Sequence, residues 1–174
     1  MTKLLLSLIL STATSTAFAS ANCTDRPACW PEGSSMNTGL LLVQKRQATE
    51  KRLDRAYGQL VLLTESASML GPRVVEALKA EQVEWLKYRD AECELVGALT
   101  GAGGTWPSTY AARCEANLTD QRLRRVRSAT RCIHRAIAKN QEFEESNCLQ
   151  QLAPIANRLR AGRQSSVQLR RDIS

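Results

Sequence analysis

Apolar residues recur at helical spacing through most of this chain, and no stretch alternates with the period of a strand. Leu42, Leu53, Tyr57, Leu60 and Leu63 predict a long first helix over about residues 40–69. Gly71-Pro72 ends it, with glycine as the C-terminal signal and proline just inside the next start. A second helix is expected over about 73–99, where positions 78, 82, 85, 89 and 93 share one face. On that face Leu78 and Trp85 bury, Gln82 and Arg89 need polar partners, and Cys93 meets whatever packs opposite. A loop follows at 101–107: Gly101, Gly103 and Gly104 free the backbone, while Trp106 and Pro107 give it a bulky, rigid edge. The third helix starts near Pro107 and carries Tyr110 and Cys114. From there Thr119 caps a renewed helix to Lys139, or Asn117 to Thr119 only bend a continuous one. A last helix runs through Leu149, Leu152, Ile155 and Leu159. Residues 20–37, with Pro27, Pro31, Gly33 and Ser34-Ser35, read as a loop-rich segment, and 162–174 as a polar, frayed tail. The fold class is all-α: an antiparallel helical hairpin or bundle of three to five helices.

The N-terminus reads as an export signal. Lys3 supplies a positive start, residues 4–10 an apolar run, and Ala17-Phe18-Ala19 a small-x-small cleavage site, with cleavage after Ala21 as the second choice. That run is well short of the ~20 residues a membrane span needs, and no later segment approaches that length. Asn22 stands before Cys23 where a lipoprotein signal would carry a small residue. The expected location is periplasmic or secreted. Six cysteines remain after processing, Cys23, Cys29, Cys93, Cys114, Cys132 and Cys148. An even count in an exported chain favours disulfides over metal ligation, but 15 pairings are open.

The composition offers little to a catalyst. The single histidine, His134, has Arg131 and Arg135 beside it and no acid at helical spacing to orient the ring. No metalloprotease motif, nucleophile elbow or phosphate-cradling loop is present. Glu81/Glu84 and Asp90/Glu94 lie one turn apart, yet Lys79 and Lys87 make them a mixed, solvated face rather than a glycosidase pair. The expectation is no catalytic residue, no metal and no cofactor.

Charge is more informative. The formal net charge is +7, and removal of Lys3 with the leader lowers it by one. Arg122, Arg124, Arg125, Arg127, Arg131, Arg135 and Lys139 stand between Asp120 and Glu142 with no acid among them. Arg124, Arg127, Arg131 and Arg135 form one helical stripe. Either it is a solvated face neutralised by Glu142, Glu144 and Glu145, or it binds anionic lipid or glycan. Nucleic acid fits poorly, since export removes the chain from cytosolic targets and aromatics for base stacking are scarce. Trp85 and Arg89 read as architecture, with Asp54 a candidate to hold Arg89.

Four sequence elements occur in an order that resembles the LprI-type lysozyme inhibitor family over about residues 38–127. They are QATEKRLDRAYGQL, with Leu53 and Tyr57; LKAEQVEWLKYRDAEC, with Leu78, Gln82, Trp85 and Arg89; GAGGTWPS; and YAARCEANLTDQRLRRV. The resemblance implies a domain over 38–127, after a signal peptide at 1–19 and the segment 20–37, and followed by a helical extension at 128–161. It implies a Cys93–Cys114 bridge, leaving Cys132–Cys148 and Cys23–Cys29 as local pairs. The chain departs from the family near Gly39, where members often carry a cysteine, so the partners of Cys23 and Cys29 stay open. The implied function is binding a lysozyme-type peptidoglycan hydrolase and occluding its cleft. An immunity protein against a cell-wall-degrading toxin is the alternative. The 101–107 loop, including Thr105, Trp106 and Pro107, is the candidate binding surface. Because a basic inhibitor repels a basic lysozyme, either a local acidic patch from Glu81, Glu84, Asp90 and Glu94 or an acidic target enzyme would also be needed.

Overall fold

The computed structural model describes residues 23–67 and 70–152. The expected signal peptide, Ile155, Leu159 and the tail lie outside them. A 3-10 turn at Pro27–Cys29 leads into α1 (Ser35–Ser66), α2 (Pro72–Ala98), α3 (Trp106–Ala138) and α4 (Glu142–Leu149), closed by a second 3-10 turn at Gln150–Leu152. The protein is all-α. Consecutive helices run antiparallel, so α1 and α3 lie parallel as neighbours. Their starts meet where Thr109 Oγ1 donates to the Ser35 carbonyl at 2.8 Å.

The seam between α1 and α3 follows from sequence period. Thr109, Ala112, Ala116, Thr119, Leu123, Val126, Ala129, Ile133 and Ala136 are buried along α3, stepping by three and four residues. Thr49, Leu53, Ala56, Leu60 and Thr64 answer them on α1. Alanines let the backbones approach, and buried Thr64 and Thr119 bond the carbonyls of Leu60 and Glu115, one turn back, at 2.8 and 2.7 Å. Leu53, Tyr57, Leu60, Leu78, Leu123, Val126, Ile133 and Leu152 form the core, with Trp85 packed against it.

Element ends differ from expectation in three places. α1 begins at Ser35, because the Ser34 hydroxyl caps it by accepting from Asn37 N at 3.2 Å. The serines read as loop are therefore its start. It ends at Ser66, before Gly71, and Leu70 is buried between the helices. Gly71-Pro72 marks the start of α2 rather than the end of α1. Trp106 and Pro107 form the first turn of α3, so the loop proper stops at Thr105, with Gly101 and Gly104 at positive φ of 60° and 64°. Beyond that, α3 runs unbroken through Thr119. It ends at Ala138, and the φ of 51° at Asn140 lets Gln141 N reach the Ala136 carbonyl at 2.9 Å and turns the chain back as α4.

Disulfides join Cys93 to Cys114, Cys132 to Cys148 and Cys23 to Cys29. They tie α2 to α3, α3 to α4, and the N-terminal turn to itself. Gly39 abuts Thr109, where an added Cβ would lie 3.1 Å from Oγ1. Cys29 instead closes locally on Cys23. One turn past Cys93, Gly97 is pressed against α3: a Cβ there would sit 2.7 Å from the Pro107 carbonyl oxygen and 3.2 Å from Ala111 Cβ. Gly97→Ala is therefore expected to lose about 1–3 kcal/mol in denaturant unfolding of the oxidised protein. Gly58→Ala, on an open face of α1 with nothing within 4 Å, is expected to gain up to about 1 kcal/mol.

Candidate functional site

The residues that carry the family resemblance converge in the middle of the bundle. Arg122 of α3 is 1% exposed. It pairs through Nη2 with Glu81, donates from Nε to Gln82 Oε1 at 3.1 Å and from Nη1 to the Leu152 carbonyl at 3.2 Å. Its guanidinium lies 5.3 Å from the Trp85 ring centroid and 6.0 Å from that of Tyr57. Trp85 receives a second cation, Arg89, at 5.7 Å. Tyr57 donates its hydroxyl to the Leu78 carbonyl. Burial pushes the Tyr57 phenol well above its usual pKa, Glu81 adds to the rise, and Arg122 opposes it.

Arg89, 4% exposed, closes the network towards the other end. It pairs with Glu50 at 2.5 Å and with Asp90 at 2.7 Å, and donates to Thr119 Oγ1 at 3.2 Å. The carboxylate from α1 is Glu50, one turn before the expected Asp54, which is exposed. Arg46 completes the cluster, 2.9 Å from Glu50 and 3.0 Å from Glu115. Burial alone would lower the Arg89 pKa, but its bonds to Asp90 and Glu50 outweigh that and raise it. Leu53, Tyr57, Leu78, Gln82, Trp85 and Arg89 thus hold three helices together, with Gln82 and Trp85 only partly buried.

The end of the α2–α3 hairpin is different. Gly101, Gly103, Gly104 and Thr105 are exposed, and the Cys93–Cys114 bridge holds the helices on either side. Trp106, 40% exposed, tilts against Tyr110, also 40% exposed, with ring centroids 6.2 Å apart. Leu95, Val96 and Leu99 on the last turns of α2 are exposed too, Leu99 at 75%. Beside them a groove of about 540 Å³ runs between the helices, lined by Asp90, Glu94 and Glu115 at its charged edge and by Gly97, Pro107 and Ala111. The acidic patch is thus only partly the expected one. Glu81 pairs with Arg122, Glu84 with Lys87 and Asp90 with Arg89, so of the expected acids Asp90 and Glu94 line the groove, together with Glu115, which pairs with Arg46. Glu115 could be placed there only once the neighbouring Cys114 was known to bridge to α2.

The arginine run divides. Arg122 belongs to the interior, and exposed Arg124 pairs with Asp120 one turn back. Arg127, Arg131 and Arg135 are exposed, as is His134. Glu145 is buried, and Glu144 accepts from Asn147 at 3.2 Å. Glu144 shares a surface hollow with Arg135 and Lys139, and among the described residues neither acid is within ion-pair distance of the stripe; the Glu142 side chain lies outside the description. Among the described residues, no three His, Cys, Asp or Glu side chains are grouped to hold a metal ion. No described helix is long and apolar enough to cross a membrane.

These features define a disulfide-braced helical bundle with an apolar, acid-edged tip, of the kind built in an oxidising compartment. A family profile described as Lysozyme inhibitor LprI matches residues 29–125. An uncharacterized protein of Rhizobium meliloti (strain 1021) is 30% identical over 103 residues, covering 55% of this chain and 73% of the relative. No solved structure matches. The chain belongs to the LprI lysozyme inhibitor family.

Two outcomes follow from the buried network. Trp85→Ala is expected to lose about 3 kcal/mol in chemical denaturation, since it empties the space between two guanidiniums. Stability is also expected to fall as pH rises past about 10, because the unfolded phenol then releases its proton while buried Tyr57 retains its own. Melting temperatures of wild type and Tyr57→Phe across that range, with the slope flatter in the variant, check the sign.

Proposed function

We propose that this protein is an exported inhibitor of a lysozyme-type peptidoglycan hydrolase and acts by steric occlusion through the tip of the α2–α3 hairpin. Family membership supports the target class. The observation that carries the surface is the exposed set Leu99, Trp106 and Tyr110 on helix ends fixed by Cys93–Cys114 and pressed together at Gly97. A rigidly supported loop loses little conformational entropy on docking, and aromatic anchors of this kind dominate binding energy at interfaces.

Charge suits a basic enzyme locally although the chain as a whole is basic. Glu94 sets a negative charge beside the apolar residues of the tip, Asp90 and Glu115 there are balanced by Arg89 and Arg46, and the exposed arginines of the α1–α3 groove lie on the other half of the bundle. An enzyme approaching tip-first meets attraction, and one approaching the other half meets repulsion. The leader at 1–19 fits delivery to the periplasm or beyond, where the disulfides form. Inhibition of this type needs no covalent step and no cofactor.

Mature protein titrated against a panel of lysozyme-type hydrolases is expected to inhibit at least one. Trp106→Ala should weaken that inhibition by about 10- to 100-fold, as removal of a hot-spot aromatic does. Glu94→Lys should slow association with a basic enzyme, most visibly at low salt. Full hydrolase activity throughout at micromolar excess would refute the reading.

A further inference from the structure

A second surface, on the half of the bundle away from the tip, has chemistry of its own. Between α1 and α3 lies a groove of about 370 Å³ lined by Arg52, Arg55, Gln59, Arg127, Thr130 and Arg131, with buried Ala56 also in its lining. Its shape follows from the fold: Ala56 lets the parallel helices close together, and the residues one turn to either side reach out over the seam. Arg52 and Arg55 stand three apart on α1, and Arg127 and Arg131 four apart on α3, so each pair shares a face. The sequence stripe contained only the α3 pair; the parallel packing adds the α1 pair.

We propose that this groove is a binding site for a compact oxyanion carrying two or more negative charges, such as a pyrophosphate or a phosphorylated sugar group. Among the described residues no carboxylate lies within ion-pair distance of any of the four guanidiniums, although Arg46, Arg89, Arg122 and Arg124 all have such partners. Among the described residues Arg52 donates to a hydroxyl, Thr49 Oγ1, at 2.8 Å. Outside the described side chains the sequence holds two acids, Glu142 and Asp172, against Arg158, Arg160, Arg163, Arg170 and Arg171. Like charges one helical turn apart cost stability in the free protein. Planar guanidiniums facing each other across a groove bind phosphate oxygens in pairs, which singly charged or apolar ligands cannot exploit. The volume suits a small ligand or one head group rather than a folded partner. This site is independent of the hydrolase-binding reading and uses none of its residues.

Calorimetric titration of the mature, oxidised protein with sodium pyrophosphate at low salt tests it. Saturable binding, a rise in melting temperature with ligand, and a loss of at least about tenfold in affinity for Arg55→Gln/Arg131→Gln are expected. The control Arg26→Gln/Arg73→Gln removes the same charge away from the groove and should stay within about twofold. The groove variant should melt no lower than wild type without ligand, which separates lost binding from lost folding. Vesicles of phosphatidylglycerol in phosphatidylcholine form the second arm. Retention on them that pyrophosphate displaces, and that the groove variant lacks, places the oxyanion on a lipid surface and supports the site. No pyrophosphate binding, equal losses in both double variants, or vesicle retention that pyrophosphate does not displace would overturn it. Hydrolase inhibition measured on the same variants should be unchanged.

Discussion

Arg122 sits where α1, α2, α3 and the turn after α4 meet, and a buried guanidinium constrains all of them at once. Removed from water, it requires a counter-charge and acceptors for its N–H groups, and failure to supply them would cost several kcal/mol. Glu81 and Gln82 come from α2, the carbonyl of Leu152 from the chain end, and the ring faces of Trp85 and Tyr57 cover the cation. Only one register of the helices meets all these needs. Apolar packing along the α1–α3 seam supplies the bulk of the driving force but tolerates sliding; the arginine does not. Arg89 repeats the device nearer the tip, with Glu50 and Asp90 as partners.

With the centre fixed by polar contacts, the two ends are free to specialise. The tip gains its rigidity from Cys93–Cys114 and from the absence of a side chain at Gly97, and it exposes leucines, aromatics and acids. The opposite half exposes arginines along the seam between α1 and α3. A protein of formal charge +7 therefore places Asp90, Glu94 and Glu115 along the groove at one end and Arg52, Arg55, Arg127 and Arg131 along the groove of the other half.

Much of this was legible in the sequence, for reasons that differ by residue. Leu53, Tyr57, Leu78 and Trp85 recur at helical spacing, and burial of an apolar face is a local consequence of that period. Arg89 calls for a polar partner, since an arginine on such a face must be neutralised, but spacing alone does not separate Asp54 from Glu50, one turn before it, which is the acid that pairs. Arg122 was hidden, because six other basic residues around it gave the appearance of a solvated run. Ser34 was read as loop when it caps a helix, the same composition serving both purposes.

The sequence alone determined the helices, the buried stripe of each, the oxidising compartment implied by its cysteines and the family to which the chain belongs. These depend on residue type and spacing within a few turns. Tertiary structure alone decided which charges face each other: that Glu115 joins Asp90 and Glu94, that Arg52 and Arg55 stand across from Arg127 and Arg131, and that Arg122 is interior. Such pairings join residues up to about 75 positions apart, and their geometry is set by how the helices pack. Periodicity fixes the face a side chain occupies, but only packing supplies the surface opposite.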